Sequence, residues 1–132
     1  MRLPTTVEKR VVHWFADRVD ESHGRQLLSD LEKAQTEVVP ADGSVVRFHL
    51  EGYVRPPYRG ERAVPIDAIV LDADGAKLSV VLSEDENGRL YELQLIRYEQ
   101  GAVIGPDWTT LRQLDPEEVI DLDQPESHRD KS

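Results

Sequence analysis

Cysteine is absent from this sequence of 132 residues, which excludes disulfide bonds and any thiolate nucleophile or metal ligand. No stretch approaches the roughly 20 consecutive apolar residues of a membrane-spanning helix. The opening residues, "MRLPTTVEKRVVHWF", hold no apolar core of signal-peptide length either. We therefore expect a cytoplasmic protein, since a reducing compartment suits a chain without cysteine.

The motifs of common catalytic sites are missing too. Neither "GxxxxGK[ST]" nor "GxGxxG" occurs, so no loop is built to hold nucleotide phosphates, and the "GxSxG" pattern of serine hydrolases does not occur. The four histidines form no constellation. His13 has the spacing of a helical pair with Asp17, and His49 shares one side of a strand with Glu51 without a third metal ligand. We expect no cofactor and no metal, and the sequence leans away from an enzyme.

Negative charge is what the chain has in excess. Its 26 Asp and Glu outnumber its 16 Lys and Arg, for a formal net charge of -10. Charge is balanced over residues 1–35 and stands at -5 over residues 36–114 and again over residues 115–132. Nucleic acids and anionic membranes are bound through clustered Lys and Arg, so neither is an expected partner. A basic protein fits the charge better, although acidity also serves solubility alone.

Two amphipathic helices are predicted near the N-terminus. The first runs from about Thr6 to Val19, because Thr5 and Glu8 have the spacing of a capping box and apolar residues recur every four positions. "DESHG" is interpreted as a break, and a second helix follows it. The buried face of that helix comprises Leu27, Leu28, Leu31 and Ala34.

Alternation and turn signals predict an antiparallel sheet after the helices. "TEVV" and "SVVRFHLEG" are typical of strands, the second with Val46, Phe48 and Leu50 on its buried side. "VPIDAIVLDADG" leads through an Asp-Gly turn into "AKLSVVLS", and "EDENG" is a second turn that leads into "RLYELQLIRY". That last stretch is also compatible with a helix, but its Tyr and Ile favour a strand. The two turns resemble calcium loops without the ligand spacing that such loops require.

Gly101, Gly105 and Pro106 interrupt the strand pattern, and "PDWTTLRQL" after them is predicted as a short helical turn capped by Asp107. "DPEEVIDLDQ" adds a further turn. The fold class is therefore α+β, with two N-terminal helices packed on a four- to five-stranded antiparallel sheet and short C-terminal helical turns. We expect one domain over residues 1–124 and a flexible acidic tail over residues 125–132.

The segment "YVRPPYRGER" stands out because it is basic, aromatic and stiff in an acidic chain. Its two prolines remove backbone donors, so it is not a central strand. Tyrosine and arginine are enriched at interface hot spots, but they can equally pack over the sheet and pair with the protein's own acids. We favour a strap across the crossing between two strands, which is compatible with a binding role. The candidate partner-binding residues are Tyr53, Arg55, Tyr58, Arg59, Arg62, Glu84, Asp85 and Glu86. The last three belong to the acidic turn "EDENG".

The stretches "LLSDLEKAQTEVVPADGSVVRFHL" and "AVPIDAIVLDADGAKLSVVLSEDENGRLYELQL" together resemble small uncharacterised bacterial proteins that are common in actinobacteria. The shared features are a helical start, a central "DADG" hairpin and a "GRLxELE"-like final strand, over about residues 27–96. A "CGC" segment of the family pattern has no counterpart here, where "ADGSVVRF" stands. The resemblance implies an α+β fold and a loose association with immunity proteins of polymorphic toxin systems. It implies no catalytic residue.

Three functional hypotheses remain open. The first is an acidic inhibitor of immunity type that covers the basic active cleft of a toxin encoded nearby, because acidic complementarity speeds encounter with such a cleft. The second is a small-molecule-binding or enzymatic domain with a pocket between helices and sheet, its mouth lined by His49, Glu51, Tyr53 and the strap arginines. The third is a homodimer built by pairing of edge strands. The protein is accordingly expected to be a monomer or a homodimer.

Overall fold

The computed structural model describes residues 1–39, 44–57 and 60–115. Its first element, helix α1, spans Thr6–Ala16, and the predicted capping box of Thr5 and Glu8 is present at its start. Helix α2 spans Glu21–Glu32 and is capped by Asp20, so "DESHG" begins this helix and does not separate two elements. The helices pack closely at Gly24, where a Cβ would lie 2.5 Å from the carbonyl oxygen of Ala16.

Seven strands make up the described part of the sheet. They are β1 (Ala34–Val38), β2 (Val45–Leu50), β3 (Arg62–Ala63), β4 (Ala68–Leu71), β5 (Lys77–Glu84), β6 (Leu90–Arg97) and β7 (Asp107–Gln113). All pairings are antiparallel. The strand order is β1-β2-β6-β5-β4-β7, and β3 lies beside β4 along the same edge of β5. Among the described residues, β1 and β7 are therefore the two ends of this strand order.

The α+β class with an antiparallel sheet is confirmed, but the sheet is larger than the four to five strands predicted. One of the extra strands is β7, which corrects the prediction of a helical turn in "PDWTTLRQL". The backbone of this stretch pairs with β4, whose edge would otherwise be open, and that tertiary contact overrides the helix-like spacing of its apolar residues. The predicted turn in "DPEEVIDLDQ" and the predicted tail at residues 125–132 lie outside the described residues.

The core lies between the two helices and one face of the sheet. Phe15 of α1, Leu27 of α2 and Phe48 of β2 are fully buried there, and the predicted alternation of β2 and β5 is confirmed by the burial of every second residue. A β-bulge opposite Ser83 and Glu84 shifts the phase of β6. Leu90 and Leu93 are consequently both buried although they differ by an odd number of positions. None of the helices in the described residues combines the length and the apolar character that crossing a membrane would take.

Candidate functional site

The stiff segment of the sequence forms the connection from β2 to β3. We call residues 51–57 together with 60 and 61 the strap; residues 58 and 59 lie outside the described part of the chain. Tyr53 and Arg55 are half-buried, whereas Val54 between them is 90% exposed. This alternation is that of an extended chain lying on a surface. The strap therefore sends two polar side chains inward and presents an apolar one to solvent.

Asp85 is the anchor of the strap. Its carboxylate accepts hydrogen bonds from the Tyr53 hydroxyl at 2.6 Å and from the Arg55 guanidinium at 2.9 Å. Its other oxygen accepts the backbone N–H groups of Asn87 and Arg89 within its own turn. Burial acts to raise the pKa of Asp85, but the Tyr53 hydroxyl, the turn amides and the Arg55 charge outweigh it and hold that pKa below its ordinary value. The anchor is therefore a charged carboxylate at neutral pH.

Arg55 also hydrogen-bonds to the backbone where two strands of the sheet separate. The pairing of β2 with β6 ends at Arg47 and Glu92, and the two strands separate beyond that point. Arg55 Nη2 donates there to the carbonyl oxygens of Phe48 at 2.8 Å and Leu90 at 3.0 Å. The strap thus supplies donors to backbone carbonyls that lack a ladder partner.

Arginine and tyrosine side chains alternate in a ladder beneath the strap. Its order is Arg89, Tyr53, Arg55, Tyr91 and Arg47, with guanidinium-to-ring distances of 4.4, 5.6, 4.6 and 5.6 Å. Contacts of this kind contribute about 0.5–1 kcal/mol each at exposed sites and more where water is excluded. The ladder joins the strap to β6 and β2.

Asp30 of α2 closes one end of the ladder. Its side chain is fully buried and receives the Arg89 guanidinium at 2.7 Å, the backbone N–H of Leu90 at 3.1 Å and the Gln26 amide at 2.9 Å. A buried carboxylate needs such hydrogen bonds because removing its charge from water costs free energy that only polar partners in the protein can offset. Asp30 thereby ties helix α2 to the start of β6.

A pair of carboxyl groups lies at the other end of the ladder. Glu92 of β6 is bound by the Arg47 guanidinium at 2.7 Å, and Glu61 at the end of the strap hydrogen-bonds to Glu92. Burial and the neighbouring Glu92 carboxylate raise the pKa of Glu61, while Ser83 and Arg47 oppose that shift. This end of the strap therefore carries a proton-dependent contact.

The surface above the ladder is a small open cleft. It has a volume of about 30 Å³ and is lined by Arg55, Pro56, Pro57, Gly60, Asp85, Glu86 and Tyr91. Ligand pockets usually measure about 300–1,000 Å³, so this cleft is far smaller than a metabolite site. The described residues contain no group of three or more His, Asp or Glu side chains placed to hold a metal ion.

The structure brings some of the candidate residues together and places others elsewhere. Tyr53, Arg55 and Asp85 meet in one cluster, and Arg62 reaches the carbonyl oxygen of Glu86 at 3.2 Å. Glu84 is buried and pairs with His23 of α2 at 2.5 Å, so its carboxylate does not face solvent. The candidate residues Tyr58 and Arg59 lie outside the described residues. Of the acidic turn, Glu86 is the exposed member.

Sequence reasoning missed five residues of this site. For Asp30 a signal was available: it falls within the apolar stripe of α2, between Leu27 and Leu31, where an acid has to be paired. The ladder partners had no such signal, because their contacts join positions more than 30 residues apart. The missed residues are Asp30, Arg47, Arg89, Tyr91 and Glu92.

A second, larger opening lies between α1 and the sheet. It is an apolar groove of about 270 Å³ lined by Val7, Val46, Leu93, Leu95, Pro106 and Trp108, with Thr5 and Glu8 at its rim. Thr5 and Glu8 are already engaged in the capping box. The groove therefore offers apolar walls, with its two rim polar groups already bonded.

Comparison with known proteins adds no relative: no family model, no curated protein and no solved structure matches the chain.

Proposed function

We propose that this protein binds a basic protein through its acidic surface and acts as an inhibitor that covers the partner's basic cleft, in the manner of an immunity protein. The observation that carries the proposal is how the arginines are used. Four of them pair with four carboxylates that are each 10% exposed or less: Arg47 with Glu92, Arg55 with Asp85, Arg89 with Asp30 and Arg97 with Asp72. These pairs cancel, so the whole net charge of -10 belongs to groups outside them.

The strap supports the same proposal from the side of contact chemistry. Its one described arginine, Arg55, faces the Asp85 carboxylate, and the strap surface presents Val54 and Pro57 together with the exposed acids Glu51 and Glu86. An apolar centre with a charged rim is the usual anatomy of a protein interface. Glu86, which lines the small cleft and is exposed, offers a carboxylate with which a Lys or Arg side chain of the partner would pair.

A second candidate function rests on the apolar groove between α1 and the sheet. Its volume of about 270 Å³ lies near the lower end of the range for ligand pockets, about 300–1,000 Å³, and its apolar walls suit a small apolar ligand. Binding of such a ligand would change the fluorescence of Trp108, which lines the groove. A Trp108→Phe variant would identify the signal, since Trp14 is the other tryptophan of the chain.

The test of the proposed function is capture of the partner from extracts of the protein's own cells at two ionic strengths. At about 0.01 M salt the charges act over about 30 Å, and at about 0.15 M salt over about 8 Å. We expect one basic protein, bound in a defined stoichiometry, whose affinity falls as salt rises. Capture of acidic or neutral proteins only, or an affinity that salt does not change, would overturn the proposal.

Charge-reversal variants locate the surface. Glu51→Lys with Glu86→Lys changes two acids at the strap, and we expect the association rate to fall about tenfold. Asp17→Lys with Asp67→Lys makes the same change in net charge at exposed acids away from the strap, and we expect about a twofold effect. Equal effects of both variants would show that total charge matters and the strap does not.

A further inference from the structure

Strand β1 is an edge strand with part of its backbone uncovered. Its odd-numbered residues hydrogen-bond to β2, as the bond from Val39 N–H to the Val45 carbonyl shows, so its even-numbered residues direct N–H and C=O outward. Thr36 exchanges both bonds with Arg2, at 3.0 and 2.6 Å. Val38 has no backbone partner on this side among the described residues.

Arg2 shows what this edge can hold. Its guanidinium forms a fork with the two carboxylate oxygens of Glu8, each at 2.8 Å, and donates to the Thr36 hydroxyl at 2.7 Å. The Glu8 carboxylate is 9% exposed, whereas the Arg2 side chain is 42% exposed. A preformed acceptor thus holds a cation that remains accessible to solvent. An arginine on an extended backbone is the ligand that fits these contacts.

The surroundings of the edge are acidic and partly apolar. Glu32 and Glu51 line an open cleft of about 310 Å³ at the Ala34 end of β1, together with Leu3, Lys33 and His49. At the other end Val38 and Val39 are 43% and 49% exposed. A segment that alternates apolar and basic residues would match both features.

The opposite edge of the sheet is less regular than β1. β7 follows β4 at Arg112 and again at Asp107, but the register breaks between these points. The Asp107 carboxylate bonds Thr109 and the Thr110 hydroxyl caps Leu71 N–H, which turns the strand out of a regular ladder. Such bulges are a common way to blunt an edge. β1 is the regular edge.

A second copy of the chain is a poorer occupant of β1 than a basic segment. Two β1 edges would bring both sets of Glu32, Glu37 and Glu51 to one seam, and like charges at a seam oppose association. Charge complementarity therefore selects a partner of opposite sign.

We propose that the edge of β1 is a docking site for an extended, arginine-bearing segment of a basic protein, which pairs antiparallel with β1 in the place that Met1–Leu3 now takes. The inference rests on the proposed function for the identity of its occupant as part of the basic partner. Arg2 then acts as an internal ligand that the partner's arginine replaces at Glu8 and Thr36.

The test uses a fluorescent peptide containing "VRLRV" and the full-length protein. We expect the peptide to bind the Arg2→Ala variant about tenfold more tightly than wild type, because the internal competitor has lost its side-chain contacts. Arg2→Lys keeps the charge without the fork and should be intermediate. A peptide with Glu in place of both Arg should not bind.

A pair of substitutions at Val38 isolates the backbone contribution. In the Arg2→Ala background, Val38→Pro removes an outward N–H that β2 does not use, so the fold is retained while peptide affinity falls about tenfold. Val38→Ala keeps the N–H and should change affinity by about twofold at most. Circular dichroism of each variant checks that the fold is intact.

Any one of three peptide results would overturn the inference: no peptide binding to Arg2→Ala, equal binding of the Glu peptide, or no effect of Val38→Pro. Dimerisation of Arg2→Ala without peptide, seen by light scattering, would assign the edge to a second copy instead and also overturn it. If the peptide fails while wild type still captures a basic protein in a salt-dependent way, the proposed function stands and this site falls. If the peptide binds but wild type captures no basic protein, the docking site on β1 stands and the proposed function falls.

Discussion

The two hairpin turns on either side of β5 use one design for two different tasks. Asp72 to Gly75 joins β4 to β5, and Asp85 to Gly88 joins β5 to β6. In each turn the first Asp and the final Gly are bridged by a backbone bond, of 2.9 Å and 3.0 Å, and the Gly has a positive φ, of 86° and 75°. Each leading Asp is buried and paired with an arginine.

The difference lies in which segment of the chain each carboxylate holds, and by which atoms. Asp72 accepts the backbone N–H groups of Ile104 and Gly105 at 3.0 and 2.7 Å, so it fixes the chain that leads into β7. Asp85 holds the strap by two side chains instead. Backbone contacts pin a segment whatever its side chains are, whereas side-chain contacts depend on Tyr and Arg at the right positions.

The two turns are held by the same electrostatics, although one fixes a connection of the sheet and the other fixes a surface segment. Burial acts to raise the pKa of Asp72, but the amides of Ile104 and Gly105 and the Arg97 guanidinium outweigh it and lower that pKa, as at Asp85. Both carboxylates therefore stabilise the fold above their ordinary pKa, and that stabilisation is lost as pH falls through the lowered folded-state values. Only at the strap does the anchored segment also form part of the surface that we propose for partner binding.

The largest effect is expected at the turn from Asp72 to Gly75, because the Asp72 carboxylate binds backbone amides of the segment before β7. Asp72→Ala should lower the free energy of unfolding by about 3–5 kcal/mol, because it leaves the Arg97 guanidinium and two amides without their buried acceptor. Urea denaturation followed by circular dichroism measures this loss. Asp74→Ala is the control: Asp74 also binds Arg97, which lowers the pKa of Asp74 to about 2, but it is exposed and should matter far less. Equal losses for the two variants would contradict the role given to Asp72.

Removal of the Asp85 carboxylate should destabilise the protein less than removal of the Asp72 carboxylate, and its effect should be confined to the strap. Asp85→Ala is expected to lower the free energy of unfolding by about 2–3 kcal/mol, since Arg55 keeps the carbonyls of Phe48 and Leu90 as partners. Hydrogen exchange should show faster exchange at Tyr53 and Val54 than in wild type, and Glu86→Ala should leave it unchanged. Unaltered exchange in the strap of Asp85→Ala would break the comparison.

The shared backbone geometry of the turns can be tested directly. Gly75→Ala and Gly88→Ala should each lower the free energy of unfolding by about 1 kcal/mol, because an alanine at positive φ is strained. A Cβ at either position meets no atom within 4 Å, so no clash distinguishes them. Thermal or urea denaturation of both variants checks the equality. A clear difference between them would mean that the two turns are not equivalent.

The smallest effect concerns the proton-dependent end of the strap. Because the folded-state pKa of Glu61 is raised, its contribution to stability is present below the ordinary glutamate pKa and is lost as pH rises through the raised value. Glu61→Gln removes that loss. We expect its stability relative to wild type to grow from near zero at about pH 4 to at most about 1 kcal/mol at about pH 7. Urea denaturation across this range measures it, with Glu51→Gln as control, and a difference that does not change with pH would contradict the prediction.

Local patterns predicted the elements that depend on nearby residues. The capping box of Thr5 and Glu8, the alternation of β2 and the hairpin turns are confirmed because each needs only neighbours in the chain. β7 was predicted as a helical turn since Asp107 resembles a cap and Trp108, Leu111 and Leu114 recur three apart. The open edge of β4, which decides its conformation, is not visible from that stretch.

The sequence by itself determined where the chain turns, which residues alternate into the core and how much negative charge the protein carries, because these follow from local sterics, periodicity and composition. Only the tertiary structure decided that Asp72 would fix the approach to β7, that Asp85 would hold the strap, and that Asp30 would meet Arg89. Each of these contacts joins positions 30 or more residues apart, with the distances set by the sheet order, and two turns of nearly the same composition come to different segments for that reason.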